Sequence, residues 1–303
     1  MAMAADTAKT SEISPFTGRL AALAVVAIWA AWLVSTRHGT VSSLKAVDLS
    51  LLRYGIPALI LAPVWLRTGL WPKATPKWPL VLMILGSGAP FFQIVAVGMR
   101  ATPASAAGVL LPGVMPLATA LIGVAIYRER PDLMRWFGMG AIALGGLVML
   151  TFGVGEVELG WRSYLILPFC ATLWAIFTHA FRRSGLTPLE GGALVCVWST
   201  LITLALIPFL GVHLFSAPLG EIGLQVLTQG VLSGLCATLL YGYAIRALGG
   251  TLAAAFTAAT PAAAAVGGGL LLGERIGAAT IAAAVITGLG VVLSTGLLSR
   301  RQA

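Results

Sequence analysis

Long apolar runs, separated by short polar joints, fill almost the whole chain. A membrane-spanning helix needs about 20 mostly apolar residues. Ten runs meet that length: 18–37, 47–67, 78–99, 103–127, 134–153, 163–181, 188–210, 223–246, 250–273 and 277–298. The joints are too short to hold a soluble domain. The pattern therefore predicts an all-α integral membrane protein with ten transmembrane helices. The polar start, residues 1–17, lacks the basic stretch and short apolar core of a cleavable signal peptide, so the first helix is expected to stay as a span. Residues 299–303 form the tail at the other end.

The runs repeat. "GVMPLATALIGVAIYRERP" at 113–131 and "AATPAAAAVGGGLLLGERI" at 258–276 share one offset, 261 − 116 = 145. Under it Pro116 falls on Pro261, Gly123 on Gly268, and Glu129-Arg130 on Glu274-Arg275. The same shift carries Trp29 onto Trp174, Trp32 onto Phe177, Pro63 onto Pro208 and Gly145 onto Gly290. Matches of Ala and Gly are cheap in this composition; tryptophan, proline and a Glu-Arg pair are not. The duplication gives two repeats, 18–153 and 163–298, of five spans each. Five is odd, so the second repeat enters the membrane from the opposite side. Inverted repeats of this kind build many secondary transporters, with substrate held near the midplane where the halves meet.

Charge supports the membrane reading and sets an orientation. Only 10% of residues are charged and 58% are hydrophobic, against about 25% charged in a soluble domain. With the N-terminus cytoplasmic, that side holds Lys9, Arg19, Arg67, Lys73, Lys77, Arg128, Arg130, Arg135, Arg182, Arg183, Arg246, Arg300 and Arg301. The opposite side holds Arg37, Lys45, Arg53, Arg100, Arg162 and Arg275. Basic residues stay inside during insertion, so both termini are expected in the cytoplasm. The net charge of +9 is a topology signal and not a nucleic-acid footprint. Cys170, Cys196 and Cys236 lack metal-ligand spacing and read as buried small hydrophobes.

Two five-span repeats, each with a proline in its fourth helix and an Arg-Glu-Arg or Gly-Glu-Arg close, resemble the drug/metabolite transporter superfamily. The glycine-rich fifth helices, "FGMGAIALGGLVML" and "AAAVITGLGVVLSTG", strengthen the likeness to its EamA-type exporters. Within these, the chain is similar to the YddG-type exporters of aromatic and other amino acids in bacterial inner membranes. The resemblance implies a helix bundle around a central cavity, lined by the first four helices of each half, with the fifth packed behind. It implies outward transport of a small molecule by alternating access, no cofactor, lipid as surroundings and a monomer.

Few residues inside the spans can do chemistry. All ten acids, Asp48, Glu129 and Glu274 among them, lie at span ends or outside. Proton-coupled pumps commonly place a carboxylate in the bundle interior, and the small multidrug pumps of the superfamily carry one in their first helix; this chain does not. Transport driven by the substrate's own gradient is expected. Arg53, read as near the outer end of the second span, either snorkels to the interface or acts as a gate or as a partner of a substrate carboxylate. Trp29 and Trp174, near mid-depth and related by the repeat, are candidate aromatic platforms for substrate, with Trp32, Tyr241 and Tyr243 beside them. Gln93 must find a hydrogen bond, in a cavity or to another helix. His179 reads as an interfacial histidine, with a proton-linked role as the alternative. Pro116 and Pro261 each interrupt a span and are candidate hinges.

An intramembrane enzyme would need a nucleophile or a metal site. "LGSGAP" at 85–90 has Leu85 where a serine-protease pattern needs glycine, and there are no paired intramembrane aspartates. A lipid flippase, a passive channel, or an exporter of other metabolites or drugs remain as alternatives to an amino-acid exporter.

Overall fold

The computed structural model describes residues 14–73, 75–153 and 161–296. Residues 1–13 of the expected tail 1–17, and the tail 299–303, lie outside the described residues; residues 15–17 of that expected tail instead begin the first helix. Every described element is a helix or a connecting turn. Eight apolar helical runs are long enough to cross a membrane: Pro15–Val41, Lys77–Met99, Ala104–Tyr127, Leu133–Phe152, Tyr164–Ser184, Pro188–Leu210, Leu219–Leu248 and Leu252–Leu272. A bent pair, Ala46–Ile60 and Ala62–Thr68, makes a ninth, and Ala278–Ser294 is a shorter apolar helix of 17 residues.

Local sequence explains where these helices start and stop. The Ser14 hydroxyl accepts from Phe16 N and caps α1 (Pro15–Val41). Asp132 accepts from Arg135 N at 2.8 Å and caps α8 (Leu133–Phe152). Thr187 and Glu190 form a reciprocal capping box for α10 (Pro188–Leu210). Such caps satisfy N–H groups that the first helical turn leaves without partners.

Several spans are broken, and proline marks most of the breaks. The second run, expected as one span, turns by 72° between α2 (Ala46–Ile60) and α3 (Ala62–Thr68), with Pro57 inside α2 and Pro63 in the first turn of α3. The third divides at Gly88 into α4 (Lys77–Ser87) and α5 (Ala89–Met99). The fourth runs through α6 (Ala104–Gly108) and a π-turn at Val109–Gly113 into α7 (Met115–Tyr127). After α9 (Trp161–Ser184) and α10, the eighth run joins α11 (Leu219–Gln225), an 11-residue π-segment at Val226–Cys236, and α12 (Ala237–Leu248). The ninth joins α13 (Gly250–Phe256), a 3-10 turn at Thr257–Ala259 and α14 (Thr260–Leu272); α15 (Ala278–Ser294) closes the chain. Pro116 and Pro261 were expected in mid-helix. Each instead opens a new helical segment, α7 or α14, where its missing N–H costs no internal bond.

The packing obeys the repeat. α8 lies along α15, and α2 along α10, so equivalent helices of the two halves meet each other. α1 packs on α12 and α14, and α9, its counterpart, packs on α4 and α7. The α8–α15 seam needs glycine. A Cβ on Gly145 would overlap the Thr287 side chain, and one on Gly290 would sit 2.7 Å from Ile142 N. Small residues let two helix backbones approach where lipid offers no hydrophobic drive between them.

The two membrane faces differ. The near face carries residues 15 and 294, the ends of α1 and α15; the far face carries the α1–α2 and α5–α6 turns. Towards the far face α6 packs on α14, and α1 packs on α5 and α6. The repeat would place α7 against α13 at the near face. Among the described residues these two make no comparable contact. α6 and α14 thus meet at the far face, whereas their equivalents α13 and α7 stand apart at the near one.

Candidate functional site

The far face is held shut by polar contacts between the repeats. Glu274, in the turn after α14, accepts from the backbone N–H groups of Ala104 (2.8 Å) and Ser105 (3.2 Å) at the head of α6. It also lies 3.9 Å from Arg37 Nε, and Arg37 donates to the carbonyls of Met99 (2.8 Å) and Arg100. Asp48 is fully buried at the start of α2 and accepts from Lys45 N, His213 N and Leu214 N at 2.8–3.1 Å. Lys45 Nζ donates to Leu210 O, and Ser43 donates to Glu221.

The near face repeats the ion pair in weaker form. Arg182 and Glu129 are the 145-offset counterparts of Arg37 and Glu274, and they too stand 3.9 Å apart. Their side chains are 63% and 50% exposed, against 23% and 12% for the far pair. The turns that carry the two glutamates are built alike. Arg128 and Gly273 both take the left-handed conformation (φ 55° and 66°), and Glu129 N and Glu274 N close back on Gly123 O and Gly268 O. Each carboxylate folds over a glycine: a Cβ on Gly123 would lie 2.7 Å from Glu129 Oε2, and one on Gly268 would overlap Glu274 Oε2. The repeated Gly-x5-Glu spacing is therefore a device for placing a carboxylate at a helix end.

Between the faces sits an aromatic centre built around Arg53. Its guanidinium carbon lies 4.8 Å from the Trp32 ring, 5.5 Å from Phe92 and 5.7 Å from Tyr54. Arg53 Nη1 donates to Ser233 Oγ at 2.8 Å and reaches Gln229 Oε1 at 3.5 Å. Gln229 donates onward to Thr36 Oγ1, and Tyr54 OH donates to Ser87 O. Arg53 does not snorkel. Its side chain runs inward from α2 to the π-segment, so the interfacial reading is overturned. The one-residue slip of a π-segment rotates the side chains that follow it, and here that segment supplies Gln229 and Ser233 to the centre.

The other candidates divide. Trp29 meets Tyr241 at 5.7 Å with the rings tilted by 45°, joining α1 to α12. Trp174 meets Phe177 at 5.0 Å and Phe91 at 5.7 Å, joining α9 to α5. Gln93 donates from α5 to Ala46 O on α2 at 3.3 Å, an inter-helix bond. Tyr243 lies apart, its hydroxyl 2.8 Å from Thr17 Oγ1 beside a shallow apolar groove of about 400 Å³ between α1 and α12. His179, near the end of α9, is covered by protein: it is 3% exposed, its Nε2 lies 2.9 Å from Thr119 O, and its ring packs on Tyr127, the last residue of α7, at 4.8 Å. Sequence reasoning missed Ser233, Gln229 and the Arg37/Arg182 pair. The 145-residue offset already carries Arg37 onto Arg182 and could have flagged them.

The sequence pattern of the EamA-like transporter family matches residues 16–151 and again 161–296. The chain belongs to the EamA-like transporter family. Both matches coincide with the repeats, so this is a multi-pass membrane protein of a small-molecule transporter class. Sixteen chains of solved structures match it. One of them, described as "Crystal structure of protein", aligns at 17% identity over 95% of this chain and 99% of its own, with a TM-score of 0.64. At that identity the likeness is one of fold. No curated protein matches the chain.

Proposed function

We propose that this EamA-like transporter exports amino acids, aromatic and other neutral ones, or related small metabolites by alternating access through ten spans. The observation that carries the reading is the unequal pair of latches. Glu274 holds two backbone N–H groups of α6 and faces Arg37, whereas Glu129, its equivalent, is half exposed beside Arg182. Two equivalent devices at opposite faces, one engaged and one slack, are what a carrier needs to open one face at a time. In the opposite state the near face closes by the mirrored contact. The offset then brings Glu129 to the backbone at Gly249–Gly250, where Ala104–Ser105 map, and Glu274 lets go.

The site between the latches suits an amino acid. Aromatic rings offer an apolar platform, and Arg53, Ser233 and Gln229 offer polar partners. In proteoliposomes, unlabelled neutral amino acids inside should accelerate uptake of labelled L-phenylalanine or L-leucine from outside. A carrier shows this counterflow. Equal fluxes with and without internal substrate would indicate a channel, and no flux of any amino acid would redirect the search to other metabolites.

A further inference from the structure

We propose that Arg53 is the anchor for a carboxylate on the transported molecule, and that the chain therefore selects monocarboxylates with an apolar or aromatic body. The proposal rests on the transport reading and gives that site its charge. Three observations converge. Among the described residues, Arg53 has no carboxylate within ion-pair distance; its hydrogen-bonding neighbours, Ser233, Gln229 and the Tyr54 hydroxyl, are all neutral side chains. Its Nε is buried and without a partner. Trp32, whose ring lies 4.8 Å from the guanidinium, is 7% exposed, and its Nε1 is also buried without a partner.

A half-buried cation with two buried, unspent donors beside it is costly unless something binds them. Arg37 shows how this chain treats an arginine that serves structure alone: Glu274 and two backbone carbonyls satisfy it. Around Arg53 no such partner is present. The rings of Trp32, Tyr54 and Phe92 stabilise the charge through their faces, which leaves in-plane N–H groups for a planar acceptor. A carboxylate is that acceptor, because guanidinium and carboxylate match in a two-pronged geometry. One cation selects one negative charge. Arg37 and Lys45, the nearby cations of the far half, are committed to Glu274 and to the Met99, Arg100 and Leu210 carbonyls, so a dianion would bring a charge that nothing balances.

The test compares carboxylates with their amides on purified full-length protein in detergent. Tryptophan fluorescence and melting temperature are followed during titration with phenylacetate against phenylacetamide, L-phenylalanine against L-phenylalaninamide, and L-leucine against L-leucinamide. The carboxylate of at least one pair should bind about 10- to 100-fold more tightly, as expected for a charge-assisted hydrogen bond. Arg53→Gln should abolish that preference and Arg53→Lys should reduce it. Trp32→Phe keeps the ring, removes the Nε1 donor and should weaken the carboxylate alone by a few fold. If Arg53→Gln fails to fold, the Arg53→Lys and Trp32→Phe ratios decide. Failure of every carboxylate to bind, or an unchanged preference in the Arg53 variants, overturns the anchor. Counterflow that persists unchanged in Arg53→Gln would remove the anchor and leave the transport reading standing; a carboxylate preference without counterflow would do the reverse.

Discussion

Glu129 and Glu274 occupy equivalent places in the two repeats, on turns of the same shape, and differ in what they hold. Glu274 bonds Ala104 N and Ser105 N and faces Arg37; Glu129 faces Arg182 in a half-exposed pair. The same local sequence thus gives a tight contact at one face and a loose one at the other. The difference cannot come from the turns, which match, and so it comes from the closure of the bundle around them.

Neutralising the two glutamates should have opposite effects. Glu274→Gln removes a charge-assisted contact of roughly 1.5–3 kcal/mol, enough to shift the equilibrium towards far-face opening by about 10- to 100-fold. Thr102, fully buried at the α5–α6 turn, reports this. Thr102→Cys should react faster with an impermeant maleimide from the far side when Glu274 is Gln. Glu129→Gln removes only an exposed pair from this state, worth about 0–1 kcal/mol, and should leave that reaction slow while slowing exchange through the opposite state. Equal reactivity in both variants would dismiss the latch.

The glycines beneath the glutamates give a second route to the same outcome. Gly268→Ala forces a methyl into the Glu274 carboxylate without touching its charge. Overpacking of this kind costs about 1–3 kcal/mol, and the variant should copy Glu274→Gln in the labelling assay. Gly123→Ala meets Glu129 at 2.7 Å, but that side chain is half exposed and can swing away, so its effect should be small. If Gly268→Ala labels like the parent, the tucked carboxylate does not hold the face.

Orientation and driving force are checked together. Cysteines at Ser14 and Gln302 should resist an impermeant reagent in sealed cells, whereas one at Phe215, 92% exposed in the far-face turn before α11, should react. With no carboxylate facing the Arg53 centre among the described residues, an imposed proton gradient should barely change amino-acid accumulation in proteoliposomes. Labelling at Ser14, or strong proton-driven accumulation, would refute the respective claim; the second would turn attention to buried His179.

The spans and the inverted duplication were legible because lipid demands long apolar runs and because tryptophan, proline and Glu-Arg recur at one offset. What escaped was set by packing. Arg53 stands seven residues into α2, about 10 Å at 1.5 Å per residue, and that depth alone is compatible with snorkelling. Only the π-segment, which turns Ser233 and Gln229 towards it, decides its direction, and no propensity signals a π-segment. Pro116 and Pro261 were visible as interruptions, but not the helix restart that makes them first-turn residues. His179 looked interfacial from its distance to Arg182; Tyr127 and the α7 backbone cover it.

Trp29 and Trp174, counterparts under the repeat, take equivalent roles in packing. Trp29 joins the first helix of its repeat to the third helix of the other, through Tyr241 on α12; Trp174 does the same through Phe91 on α5. Both are only partly buried, so each retains ring surface for a ligand. If they flank the transported molecule, Trp29→Ala and Trp174→Ala should each lose an aromatic contact of roughly 0.5–1.5 kcal/mol beyond area burial, about a 2- to 13-fold loss of affinity. Melting in detergent should fall modestly, since one ring contact is lost at Trp29 and two at Trp174, where Phe177 also packs. The larger melting loss is therefore expected for Trp174→Ala. Binding of L-phenylalanine and thermal melting, measured on the same preparations, separate the two contributions. Unchanged affinity together with a large drop in melting temperature in both variants would assign these rings to the scaffold, leaving the Arg53 centre to bind substrate without them.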